Sequence, residues 1–219
     1  MRDEVYIVAG GTSLENFNFN KLKGKDVIAI NKAILDMSTA KYFITMDYTL
    51  LTHKLNKNIH LFNQSKATKF FVANLCPKYM METNGRIMDT RSNFIYKLNP
   101  FHVVIKSKKE KPIGLDFSSF AHGENSGFCG LQLAICLGYK HIHLLGYDFS
   151  ISSTKTHYHD GYVQSKEHFK DRLKDYLTYL VDALTYLNSA CPEISIYNYS
   201  DQEEINELLI KCSLDDIYE

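Results

Sequence analysis

The chain has 219 residues, 45% of them hydrophobic, which is enough to bury a sizeable core, and its length fits one domain spanning 1–219 better than two. Lysine plus arginine and aspartate plus glutamate both total 25, so the formal charge is zero and no basic field gathers nucleic acid by counterion release. No segment reaches the ~20 apolar residues of a membrane span, and the opening MRDEVYIVAGG enters a strand without the apolar run of a signal peptide.

The five cysteines, Cys76, Cys129, Cys136, Cys191 and Cys212, are odd in number, widely spaced and mostly set in apolar runs. That pattern favours reduced thiols in a cytoplasmic protein over a disulfide framework or a zinc site.

In chain order, Val5 to Ala9 is a short β-branched run ending in Gly10-Gly11-Thr12-Ser13, and Leu14 to Leu22 has the composition of a short helix. Val27 to Ile30 stops at Asn31, and Tyr42 to Thr45 stops at Met46-Asp47. Continuous apolar runs of this kind are what parallel strands covered on both faces look like. Ile59 to Phe62, Lys69 to Ala73 and His102 to Ile105 are weaker strand candidates, and 75–100 fits no element. Lys106 to Lys111 with Pro112 reads as a solvated loop, which continues through Gly114 to Glu124.

The most informative stretch is Asn125 to Ser150. It predicts a buried helix over Gly127 to Leu137, a left-handed cap at Gly138, and a buried strand that exits at Gly146-Tyr147-Asp148. A polar segment, 147–165, follows and is a candidate lid, since loops longer than about 12 to 15 residues in compact domains are more often binding elements than accidents. Lys166 to Leu187 carries a helical stripe at Phe169, Leu173, Tyr176, Leu177, Leu180, Leu184 and Leu187 that would cover the sheet. Ile194 to Tyr197 is a last strand. Ser200-Asp201-Gln202-Glu203 has the spacing of a capping box opening a helix that buries Ile205, Leu208 and Leu209. The expected fold is α/β and Rossmann-like, a mostly parallel twisted sheet with helices on both faces, which places ligands where strands finish.

Three groups of residues point to chemistry. Gly10 and Gly11 let backbone amides approach a phosphate, and a helix after them would add positive potential. The turn is neither a Walker loop nor a full dinucleotide fingerprint, and a purely structural turn is the plain alternative. Asn31, Asp47 and Asp148 lie at strand exits and, with Asn125-Ser126, could converge on a nucleoside's base and ribose, or on a metal through the carboxylates. Taken singly these residues are also turns or caps, and Asp148 has its own structural reading, a buried carboxylate accepting loop amides to hold the strand exit. The third group is His157, His159 and Asp160 with Tyr147, Tyr158 and Tyr162. Histidine can take a proton from a hydroxyl near neutral pH, and tyrosines can donate to a departing phosphate. A metal site with Asp160 or a polar surface loop without catalytic part are the alternatives. His102, His141 and His143 sit in strand patterns as core or edge residues.

Gly10-Gly11-Thr12-Ser13-Leu14, Ala29-Ile30-Asn31, Met46-Asp47-Tyr48 and above all the block from Ser126 to Phe149 resemble the bacterial sialyltransferase family typified by the Campylobacter enzymes. They equally resemble a broader set of Rossmann-like proteins, phage-encoded ones included, and the related archaeal hydroxymethyldihydropterin pyrophosphokinases. The sialyltransferase resemblance implies a metal-independent, inverting transfer of a sialic-acid-like sugar from a cytidine-monophosphate donor to a hydroxyl acceptor, with no cofactor required. Carried over by motif, Gly10, Gly11, Thr12, Ser13, Asn31, Asp47, Asn125, Ser126, Gly127, Gly146 and Asp148 would contact the nucleotide. His157 or His159 would be the base, and Tyr158 and Tyr162 would hold the leaving phosphate.

The chain departs from that family at four places. Asp47 replaces an asparagine, Ser150 follows the Asp-Phe pair in place of a tyrosine, no arginine precedes Asn125, and the lid segment is shorter. A carboxylate at Asp47 would repel a donor phosphate unless it bound ribose or a cation. The pyrophosphokinase resemblance implies instead a Mg²⁺-dependent diphosphate transfer from ATP, with Asp47 and Asp148 on the metal. A non-catalytic nucleotide-binding protein is the third expectation. The expected partners are a nucleotide-activated small molecule and a glycan or other hydroxyl acceptor, with no nucleic acid; a homo-oligomer is compatible with all three.

Overall fold

The computed structural model describes residues 3–47, 50, 59–73, 80–83, 86–89, 94–96, 101–105, 112–121, 123–151, 155–159 and 166–218. Its centre is an eight-stranded sheet of β1 (Glu4–Val8), β2 (Val27–Ile30), β3 (Tyr42–Thr45), β4 (Thr68–Ala73), β8 (Phe101–Ile105), β9 (His141–Leu145), β10 (Ser195–Asn198) and β11 (Ile210–Lys211). The order is β11-β10-β9-β1-β2-β3-β4-β8, and every pair is parallel. Three short strands, β5 (Met80–Thr83), β6 (Arg86–Asp89) and β7 (Phe94–Tyr96), form a separate antiparallel sheet inside the segment that matched no element.

The strands are apolar throughout because each feeds two cores. Val5 and Ile7 of β1 join one cluster with Ile142 and Leu144 of β9. Tyr6 and Val8 join the other with Val27, Ala29 and Leu145. The first cluster is covered by α2 (Ser126–Cys136) and α3 (Lys166–Ala190), the latter burying Leu180, Leu184 and Leu187. Burying a leucine completely contributes roughly 1.5–3 kcal/mol, so the stripe of α3 is a main support of the fold. The second cluster is covered by α1 (Ile59–Gln64) and by 3-10 turns at Thr12–Leu14, Phe19–Leu22 and Asn31–Leu35, through Leu14, Leu22, Ala33, Ile34 and Phe62. The Rossmann-like α/β architecture is as expected. Among the described residues no helix is long and apolar enough to cross a membrane, and Cys129, Cys136, Cys191 and Cys212 are free thiols. Cys76 and the basic loop 106–111 lie outside the described residues.

Three local expectations are corrected. Ile59 to Phe62 is helical, with Phe62 turned inward and Leu61 exposed; a four-residue apolar run carries no period to tell strand from helix. Leu14 to Leu22 makes no α-helix. There the Asn18 side chain accepts from the Asn20 amide and diverts the backbone into a tight turn. The capping box at Ser200 does not form: Ser200 Oγ donates to the Tyr147 carbonyl at 3.0 Å, and α4 (Glu203–Asn206) starts after Gln202 without a side-chain cap. Ser200 thereby ties the exit of β10 to the exit of β9.

Candidate functional site

From β1 the chain winds outward through β2, β3 and β4 on one side, and returns through β9 and β10 on the other. The crevice between the carboxyl ends of β1 and β9 is therefore the topological switch point, where open α/β sheets bind ligands. Their ladder runs on past the strands, with Ala9 N donating to Leu145 O at 2.9 Å and Gly11 N to Gly146 O at 3.0 Å. Gly11 is required by this close approach, since a Cβ there would stand 2.5 Å from both Asp148 Cγ and Gly146 O. Gly146 takes φ +74°, the left-handed conformation that turns the chain back over Gly11.

Asp148 lies buried in that turn. It accepts from Ser13 N at 2.7 Å, Ser13 Oγ at 2.6 Å and Thr12 Oγ1 at 3.5 Å. The amide and hydroxyl that sequence reasoning offered to a phosphate are thus bonded to the protein's own carboxylate. No α-helix follows the glycines, so the helix terminus at this edge is a different one.

It is the start of α2. Asn125 caps it, its Oδ1 accepting from Phe128 N at 2.8 Å while its Nδ2 donates to Gly123 O at 3.0 Å. The amides of Ser126 and Gly127 open an 11-residue helix and have no carbonyl in the preceding turn to bond, so they and the helix dipole offer positive potential to an anion. Ser126 Oγ accepts from Met46 N at 3.2 Å, which ties the helix to the exit of β3. Tyr147, fully buried, donates to Gly127 O at 2.8 Å, and burial holds its phenol well above the usual range. Across the crevice, Asn31 Oδ1 accepts from Thr45 Oγ1 at 2.6 Å, Thr45 Oγ1 accepts from Asp47 N at 3.0 Å, and Asp47 Oδ1 accepts from Leu50 N at 3.2 Å.

The segment 155–159 closes the ring. Tyr158 N donates to Gly10 O at 3.1 Å. The His157 ring lies so close over Gly10 that a Cβ there would meet its Cδ2 at 2.8 Å, and it packs against Phe169 at 4.8 Å between centroids. Its Nδ1 is 3.0 Å from Thr156 Oγ1. Tyr158 and His159 turn the other way, to Asp36: the Tyr158 hydroxyl donates to Oδ2 at 3.2 Å, and His159 Nε2 lies 2.8 Å from the same oxygen without the alignment of a hydrogen bond. Asp160 and Tyr162 lie outside the described residues.

These elements enclose a cavity of about 300 Å³. Of the residues singled out in the sequence, Gly10, Gly11, Asn31, Asp47, Asn125, Ser126, Gly127, Gly146, Tyr147, Asp148 and His157 line it; Thr12 and Ser13 sit behind Asp148, and Tyr158 and His159 face away. Every non-glycine residue with positive φ among the described residues is on its rim: Asn31 at 54°, Glu124 at 56° and Phe149 at 46°. Such conformations cost on the order of 1–3 kcal/mol each and gather at functional sites.

Glu124, Phe149, Phe169, Leu173 and Tyr176 also line it and were not foreseen. The last three belong to the stripe of α3 that the sequence assigned to the sheet, and the aromatic character of Phe169 and Tyr176 near the polar segment is the signal that could have separated them. The described lining contains acids but no lysine or arginine. Glu124 is paired outward with Arg172 at 2.6 Å, whose guanidinium stands 5.3 Å from the Tyr176 ring. Among the described residues no three acidic, histidine or cysteine side chains are grouped to hold a metal ion.

No family model matches the chain, and no curated protein matches it. Among solved structures it is similar to the MAf glycosyltransferase from Magnetospirillum magneticum AMB-1, with 13% identity and a TM-score of 0.56, over 99% of this chain and 34% of that one. At that identity the likeness is one of fold, and the chain spans about a third of that glycosyltransferase's length.

Proposed function

We propose that the cavity holds the nucleotide of a nucleotide-activated sugar, and that the protein transfers the sugar to a hydroxyl acceptor with His157 as general base. The observation that carries this reading is that His157 and the first-turn residues Ser126 and Gly127 of α2 line one cavity at the switch point of the sheet. The donor phosphate sits at Ser126 and Gly127, where the helix dipole favours charge that grows as the sugar–phosphate bond breaks. The Asn31 amide group donates to base or ribose, and Asp47 accepts from ribose hydroxyls. The acceptor oxygen attacks the anomeric carbon as the phosphate leaves, and its proton passes to the His157 imidazole. Tyr162 remains the proposed partner of the leaving phosphate, whereas Tyr158, bonded to Asp36, anchors the segment instead. A glycosyltransferase among the fold's solved neighbours is in keeping with this reading.

The test is a thermal-shift panel of nucleotides and sugar nucleotides with and without Mg²⁺, followed by turnover of whichever donor stabilises the protein. Stabilisation by a cytidine or uridine nucleotide and loss of turnover in His157→Ala are expected; full turnover in that variant would remove His157 as the base.

One observation favours a second reading, Mg²⁺-dependent diphosphate transfer: Asp47 brings a carboxylate to a described lining that holds no lysine or arginine. The pair first considered for that metal, Asp47 and Asp148, fits it poorly, because both Asp148 oxygens are bonded to Ser13 and Thr12 and Asp47 accepts from Leu50 N. Stabilisation by ATP that requires Mg²⁺, with no response to cytidine or uridine nucleotides, would favour it. A ligand bound without any turnover would point to a binding protein.

A further inference from the structure

We propose that Asp36 is a positioning residue: by gripping Tyr158 and His159 it holds the segment between Lys155 and His159 in place and so sets His157 over the cavity. This rests on His157 being the base.

Two observations meet here. The first is the division of the segment. His157 faces the cavity, while its two successors converge on one carboxylate oxygen of Asp36, at 3.2 and 2.8 Å. The Tyr158 ring also packs 5.7 Å from Phe19, which stands edge-on to Phe17, and the rings of Tyr158 and His159 lie 4.1 Å apart. The pair of Lys155 with Glu15 is exposed and adds little.

The second is where Asp36 comes from. It is the C-terminal cap of the 3-10 turn Asn31–Leu35, whose first residue lines the cavity in a left-handed conformation and whose Ala33 and Ile34 are buried. A short, packed turn thus carries a cavity residue at one end and the grip on the segment at the other. Asp36 is at the surface and outside both core clusters, so its loss removes the grip on Tyr158 and His159 while the sheet and its cores stay packed. The Tyr158 N–H to Gly10 bond and the packing of the Tyr158 ring on Phe19 then remain.

The test compares Asp36→Ala, Asp36→Glu and Tyr158→Phe in the full chain, with folding checked by circular dichroism. The ring Cε1–H resonance of His157, identified by its loss in His157→Ala, is expected to move toward the position of an unstructured histidine in Asp36→Ala and to return in Asp36→Glu. Turnover of the stabilising donor is expected to fall on the order of 10- to 100-fold in Asp36→Ala, in kcat more than in KM, as for a misplaced catalytic group. A folded Asp36→Ala with an unmoved His157 resonance overturns the proposal. Should Asp36→Ala fail to fold, Tyr158→Phe, which removes only a hydroxyl, decides by the same resonance. Undiminished turnover in His157→Ala removes the base while the resonance still judges the grip.

Discussion

Asp148 and Ser13, 135 positions apart in the chain, are joined by two short hydrogen bonds, from the Ser13 amide at 2.7 Å and from its hydroxyl at 2.6 Å. The contact locks the exit of β9 to the exit of β1 and gives the crevice its floor. A hydrogen bond to a charged group is worth about 1.5–3 kcal/mol. Asp148→Ala is therefore expected to lower the unfolding free energy by about 1.5–3 kcal/mol in urea titration, because it removes both hydrogen bonds that the buried carboxylate accepts from Ser13. Asp148→Asn keeps one acceptor and the shape, and should lose well under half as much. If Asn proved as harmful as Ala to stability, the lock would not be the role of this carboxylate.

The two glycines of the first turn should respond differently. Gly11→Ala drives a methyl into Asp148 and into the backbone of Gly146, each at 2.5 Å, and neither can give way without breaking the lock. A loss of several kcal/mol or failure to fold is expected, as for other overpacked and strained sites. Gly10→Ala meets only the edge of the His157 ring at 2.8 Å. It should fold with a melting temperature close to that of the parent and show its effect in turnover. Equal destabilisation by the two substitutions would contradict this contrast.

The cap of α2 separates helix stability from ligand binding. Asn125→Ala removes an N-cap and should cost about 1 kcal/mol. Asn125→Asp retains a good cap but adds a negative charge beside the Ser126 and Gly127 amides. Its melting temperature should stay near the parent's while stabilisation by a nucleotide phosphate largely disappears. Unchanged nucleotide stabilisation in Asn125→Asp would place the phosphate elsewhere.

His143 predicts the acid limb of the stability curve. It lies stacked between Tyr6 and Tyr197, at 4.3 and 4.5 Å, on three neighbouring strands. Its Nε2 donates to Glu4 at 2.9 Å and its Nδ1 accepts from the Tyr199 hydroxyl at 2.8 Å, which is the neutral ring. Burial pushes its pKa down to about 4, against the attraction of Glu4 and with help from His141 and Lys25. The unfolded chain therefore binds the extra proton first: stability is full above about 6.5, the ordinary value, and is lost as pH falls from there toward about 4. Urea titrations across that range should show a slope that His143→Gln flattens. The same slope in the variant would mean that another group titrates.

Much of the fold was legible because burial on two faces leaves a mark in the chain itself. The runs at Val5, Val27, Tyr42 and His141 contain few polar residues and stop at Gly10, Asn31, Met46-Asp47 and Gly146, and each of those stops lies on the cavity edge. Asn125 announced its cap by residue type. The run at Ile59 was misread because four apolar residues have no measurable period, and Leu14 to Leu22 because Asn18 competes for the backbone through its own side chain. Within 157–159, nothing in the order His-Tyr-His tells which ring faces in; Asp36 and Gly10 decide it, and both lie more than a hundred positions away.

By itself the sequence determined which segments are buried and where each strand releases the chain, since hydrophobic pattern and turn chemistry act between near neighbours. Only the tertiary structure decided which released ends meet. The side-by-side placement of β1 and β9, the left-handed turns at Asn31, Glu124 and Phe149, and the inward face of α3 are set by packing between distant elements, and they turn scattered polar residues into one cavity.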